Sequence, residues 1–98
     1  MQEAFVDFNM AIELRPTDTT SLANRGWIYF QQGKYAESLS DYSVCAKLGN
    51  DWCQNELGTM YWKAQGVPHN QNEAFKWWRE SAAQGNEQAK RSLRELAR

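Results

Sequence analysis

Apolar residues recur at helical spacing along almost the whole chain, and no segment alternates apolar and polar with a period of two. Ala4, Phe5, Phe8, Ala11 and Ile12 share one face, which predicts a first helix over about residues 2–14. Pro16 ends it, because proline lacks an N–H and clashes with the preceding turn. Asp18 or Thr17 can cap a second helix over about residues 19–32, stopping at Gly33. A third is expected over about residues 35–48, ending at Gly49, and Asn50 is placed to cap a fourth over about 51–64. A longer loop with Gly66, Val67 and Pro68 follows. Asn70, with Glu73 three residues on, forms a capping-box-like start to a fifth helix over about residues 71–84. Gly85 ends that helix, and Asn86 caps a sixth over about 87–97. No low-complexity linker interrupts the series, so the pattern predicts one all-α domain of about six helices.

The helices also repeat. Ala4, Phe8, Ala11 and Pro16 recur 34 residues later as Ser38, Tyr42, Cys45 and Asn50, and the pairs Asp7/Asp41 and Leu14/Leu48 keep that offset. Ser38, Tyr42, Cys45, Gly49, Asn50, Cys53 and Leu57 recur 36 residues later as Ala74, Trp78, Ser81, Gly85, Asn86, Ala89 and Leu93. Periods of this size mark stacked helical arrays. Such arrays build extended concave surfaces, and binding is their default use.

Composition narrows the picture in a few places. Five tryptophans in 98 residues put much of the burial on aromatics, at about 1.5–3 kcal/mol per large buried side chain. The net charge of −1 gives no argument for nucleic acid or an acidic membrane surface as partner. Lys90, Arg91, Arg94 and Arg98 make the last segment locally basic, but Glu87 and Glu95 are interleaved, as on a solvated helix face. No apolar run is long enough to span a bilayer. No signal-peptide pattern opens the chain, so a targeting segment is expected only upstream of it.

The stretch Leu22–Asn50 resembles a tetratricopeptide repeat through Leu22, Gly26, Tyr29, Tyr35, Ser38, Tyr42 and Cys45. That family favours Ala at positions 38 and 45 and Pro at position 50. The departures are small-for-small and turn-for-turn. Asp51–Gly85 is similar to a Sel1-like repeat through Leu57, Gly58, Tyr61, Gly66, Val67, Ala74, Trp77, Trp78, Ser81, Ala82 and Gly85. The spacing agrees with the change of family: Gly26 to Ser38 is 12 residues, whereas Gly58 to Ala74 is 16. The resemblance implies a right-handed α–α superhelix. Residues 1–18 would be the second helix of a partial repeat, 19–50 a tetratricopeptide repeat, 51–85 a Sel1-like repeat and 86–98 a polar capping helix, with Arg94 where Gly58 stood. It also implies a non-catalytic scaffold that binds a peptide or partner domain. The alternative is a structural spacer or regulatory appendage of a larger parent, enzymatic or not.

Candidate chemistry is sparse. His69 is the only histidine, and its loop position beside Pro68 reads as solvent-exposed. One His and two Cys have no zinc-motif spacing, and there is no phosphate-binding glycine loop, so neither metal nor cofactor is expected. Cys45 and Cys53 occupy small-residue packing positions, and inert buried thiols are the expectation. Some secreted Sel1-like proteins staple adjacent helices with cysteines about eight apart. Here both stand one position away from that pattern, and a bridge is the alternative, which would imply an oxidising compartment. Without it a cytoplasmic location is slightly favoured.

The tetratricopeptide groove positions map to Thr20, Ala23, Trp27, Phe30 and Gln31. The next unit contributes Trp52, Asn55, Thr59, Trp62 and Lys63, followed by Gln88 and Arg91. Trp27, Phe30 and Trp62 either pack between repeats or form an aromatic platform, with Lys63 and Arg91 at its rim. The carboxylate clamp of the family is not expected, because Ala23 and Trp27 stand where it needs basic and Asn residues. Finally, the first helix lacks a hairpin partner. Phe5, Phe8 and Ile12 are therefore expected to leave apolar area for self-association, and a protein partner with no membrane span is the overall expectation.

Overall fold

A computed structural model describes residues 9–96, and among these every regular element is helical. Residues 9–14 form α1. Then come α2 (Thr19–Gln31), α3 (Tyr35–Lys47), α4 (Asp51–Lys63), α5 (Gln71–Ala83) and α6 (Glu87–Leu96). From α2 onward each helix packs chiefly on its neighbours in sequence, giving an elongated body of 43 × 25 × 18 Å. This is the solenoid that the repeat offsets predict.

The helix starts follow from single side chains. The Asp18 carboxylate accepts from the Ser21 backbone N–H and from its hydroxyl at 3.0 Å. The Ser21 bonds hold the Asp18 carboxyl below the usual carboxylate range. Asn50 accepts from the Cys53 N–H at 3.0 Å, Asn70 from the Glu73 N–H at 3.0 Å, and Asn86 from the Ala89 N–H at 2.9 Å. Each satisfies a donor that the first helical turn leaves free. The capping box at Asn70 is only half made. Glu73 turns its carboxylate to the Trp77 indole N–H, at 3.2 Å, instead of to the start of the helix.

Two glycines let a hairpin close. A Cβ on Gly58 would lie 2.7 Å from the Trp78 ring, and one on Gly26 would lie 2.8 Å from the Tyr42 ring. The large ring of each second helix therefore rests on bare backbone of the first. The serines that replace Ala in the motif stay buried because their hydroxyls find carbonyls. Ser38 donates to Gly26 O at 2.8 Å and Ser81 to Asp51 O at 2.7 Å. Buried hydroxyls without such partners would be destabilising.

Polar side chains join successive units. Arg25 forks onto Asp41, donating at 2.8 and 2.6 Å, and its third nitrogen donates to Asn9 at 2.9 Å. One side chain thus ties α1, α2 and α3. Further along, Gln54 donates to Ala46 O, Gln84 donates to Gly49 O and to the Gln54 side chain, and Asn86 donates to Asp51. The longer loop of the second hairpin also has a seat. Gly66 has φ 80° and lies against the Tyr35 backbone, where a Cβ would come within 2.9 Å. No other residue meets both demands at little cost.

Cys45 and Cys53 form a disulfide, with Cα atoms 5.8 Å apart, and both are fully buried. The expectation of two free packing thiols is corrected. Asn50 starts α4 directly after α3 ends, and the tight turn brings the two small side chains face to face. The bridge lies within the main apolar cluster with Leu22, Tyr42, Leu57 and Met60.

In the first helix, Ile12 is partly buried and packs against this cluster. The exposed apolar side chains of α1 are Met10 and Leu14. Phe5 and Phe8 lie outside the described residues.

Candidate interaction groove

Asn55, Thr59, Trp62 and Lys63 follow one another at helical spacing and form one wall on α4. Gln88, Arg91, Ser92 and Leu96 form the facing wall on α6, and Trp78 of α5 and Glu56 complete the lining of an open cavity of about 450 Å³. Six of the residues that register assigns to the concave face therefore meet in one place: Asn55, Thr59, Trp62, Lys63, Gln88 and Arg91.

The others do not join them. Ala23, Phe30 and Trp52 are half-buried against the apolar cluster. Phe30 packs on Tyr35 with ring centroids 5.1 Å apart, and Trp52 meets Tyr42 edge-on at 5.5 Å. They serve packing because a neighbouring helix crosses just where their rings project. Thr20 and Gln31 are exposed and lie outside the cavity. Trp27 is 45 % exposed and stands apart from the cavity as well.

The polar floor is built around Asn55. Its backbone carbonyl accepts from the Trp78 indole N–H at 3.2 Å and from the Thr59 hydroxyl at 3.1 Å. Its side-chain amide donates to Gln88 at 3.1 Å, linking the two walls. The Oδ1 of Asn55 is buried and has no hydrogen-bond partner among the described residues. Glu56, which register did not assign to the groove, has its carboxyl pushed up by burial; the Asn55 side chain and Lys63 pull against that shift. Trp62 is held from behind by His69, Phe75 and Trp78, with ring centroids 5.4, 5.8 and 5.9 Å away. Its ring is thus both a packing element and a wall. Arg91 has no ion-pair partner among the described residues.

Comparison with known proteins places this arrangement. Residues 53–86 match the Sel1 repeat family. The chain is similar to a solved Sel1 repeat protein from Oxalobacter formigenes, at 32% identity and a TM-score of 0.83, over 91% of this chain and 68% of that one. The chain belongs to the Sel1 repeat family. Its fold is one that generally mediates contacts between proteins.

This Sel1 repeat chain is also 31% identical to an F-box protein of Arabidopsis thaliana over 76% of its own length, yet it spans 21% of that relative. The N-terminal domain of stress-induced protein-1 from C. elegans shares the fold at a TM-score of 0.73 and 20% identity, covering 95% of this chain and 78% of that domain. Among the described residues of the Sel1 repeat chain, no helix is long and apolar enough to cross a membrane, and no three His, Cys, Asp or Glu residues are grouped to hold a metal ion.

Proposed function

We propose that the chain is a non-catalytic interaction module that holds a peptide or partner domain in the groove between α4 and α6. The observation that carries this reading is the convergence of Trp62, Asn55, Lys63 and Arg91 on one open cavity. Tryptophan and arginine are among the residue types that dominate binding energy at protein interfaces. No nucleophile is paired with a base there, and the groove charges are too few to hold a nucleic acid backbone.

An affinity capture with the purified chain and its Lys63→Ala/Arg91→Ala variant tests the reading. Both altered side chains are exposed, so the helical circular dichroism should not change. A partner that wild type retains and the variant loses supports the groove. A partner held equally by both moves the binding surface elsewhere. The second reading, a spacer within a longer protein, draws support from the F-box relative, of which this chain spans 21%. In that case neither protein would capture a partner.

A further inference from the structure

Asn55 is only 4% exposed, and its position is over-determined by the two donors on its own carbonyl. An amide side chain has an oxygen that accepts and an NH₂ that donates. The NH₂ is used by Gln88, while the oxygen is buried without a donor. Burying an acceptor in this way is unfavourable, and a hydrogen bond from outside would recover the loss. Gln88, which accepts from this amide, is an exposed side chain on α6.

The missing group is a donor, and Asn55 Oδ1 accepts from none of the donor side chains that line the cavity with it. The main-chain N–H groups of an extended segment are unused, whereas those of a helix are already spent internally. The charges narrow the choice further. Lys63 sits near Glu56, which offsets it, and this leaves Arg91 as the unbalanced charge of the groove. Arg91 lies one turn beyond Gln88 on the same face of α6, so a group bound at Asn55 is followed along the wall by a guanidinium. A guanidinium favours a carboxylate, which it can grip through two N–H groups. Trp62 and Leu96 add apolar wall on either side.

On the interaction reading above, we infer that the groove takes an extended peptide that donates a backbone N–H to Asn55 Oδ1 and places an acidic side chain against Arg91. This is not the carboxylate clamp: Glu56 occupies the floor, and the recognised acid belongs to a side chain within the segment.

The test pans a phage-displayed library of short random peptides on the whole chain. Selected sequences are then remade as fluorescein-labelled peptides for fluorescence anisotropy. The expected result is enrichment of Asp or Glu at one position, with affinity that weakens as salt is raised. Arg91→Glu should weaken binding about tenfold or more, and Asn55→Ala should weaken it several-fold. Selected peptides without acid enrichment overturn the inference while leaving peptide binding intact. So do acidic peptides whose affinity ignores Arg91→Glu, a surface change that the fold tolerates. If no peptide is selected by wild type, the inference and the peptide-binding reading fall together.

Discussion

Gly58→Ala measures how closely the two helices of the second hairpin approach. In an exposed helix the change would stabilise by about 1 kcal/mol, because glycine loses more backbone freedom on folding. Here the added methyl would lie 2.7 Å from Cδ1 and Nε1 of Trp78 and 3.0 Å from the Ala74 carbonyl oxygen. Ordinary carbon contacts lie at about 3.5–4.0 Å, so the indole must retreat by roughly 0.8 Å or more. It cannot do so freely, since it is fully buried and its N–H is bonded to Asn55 O at 3.2 Å. The Ala74 oxygen is backbone, so α5 must move with it. Overpacking of this kind costs about 1–3 kcal/mol, and a weakened buried hydrogen bond adds about 1 kcal/mol. After the propensity gain is subtracted, the net loss is about 2 kcal/mol. For a domain of this size that lowers Tm by roughly 10 °C. Urea unfolding followed by circular dichroism gives the free energy directly, with an unchanged m-value as the sign that the unfolded state is unaffected. Gly26→Ala is the internal comparison. Its nearest neighbours are all side-chain atoms, of Tyr42 and Asp41, so it should lose less. A Gly58→Ala protein as stable as wild type, or less damaged than Gly26→Ala, would refute the close-approach argument.

Three further outcomes follow from single features. Ala64 caps α4 with φ 58°, a left-handed conformation that glycine adopts without strain, so Ala64→Gly should stabilise by about 1 kcal/mol in thermal unfolding. Burial raises the Glu56 carboxyl above its ordinary value of 4.5, so the folded chain binds that proton more tightly than the unfolded chain. The penalty for ionising it is therefore complete above the raised value, shrinks as pH falls through the window down to the ordinary value, and is absent below it. Glu56→Gln should be the more stable protein at neutral pH, with an advantage that fades on acidification, as paired urea titrations across pH would show. The bridge between Cys45 and Cys53 closes a loop with a sequence separation of 8. The oxidised, denatured chain should therefore contain no free thiol in a thiol titration, and Cys45→Ala/Cys53→Ala should lose about 2.5 kcal/mol by the loop-entropy relation.

Much of the fold was legible because its determinants act over short distances. Asp18, Asn50, Asn70 and Asn86 each cap a helix by bonding an N–H three residues on, and a short polar residue before an apolar run announces this directly. The offsets of 34 and 36 were equally visible, since each unit must present the same small and large residues to its neighbour. Half of the groove was legible for the same reason: Asn55, Thr59, Trp62 and Lys63 share a face by helical spacing alone. Glu56 was missed because it lies one residue from Asn55 and register places it off that face.

Helix identity, order and boundaries, and the existence of a concave surface, were decided by sequence alone, because caps, breakers and periodicity are properties of neighbours along the chain. The tertiary structure decided what became of each large side chain. Trp52 and Phe30 have the register of groove residues but are covered by rings from adjacent helices, whereas Trp62 keeps one face open to the cavity. It also decided that Cys45 meets Cys53, that Arg25 reaches Asp41 and Asn9 together, and that the Asn55 side-chain oxygen has no donor among the described residues. These outcomes depend on where a second helix crosses the first. Crossing is set by how rings settle onto Gly26 and Gly58, a matter of tenths of an ångström between residues far apart in sequence, and spacing along one chain does not encode it residue by residue.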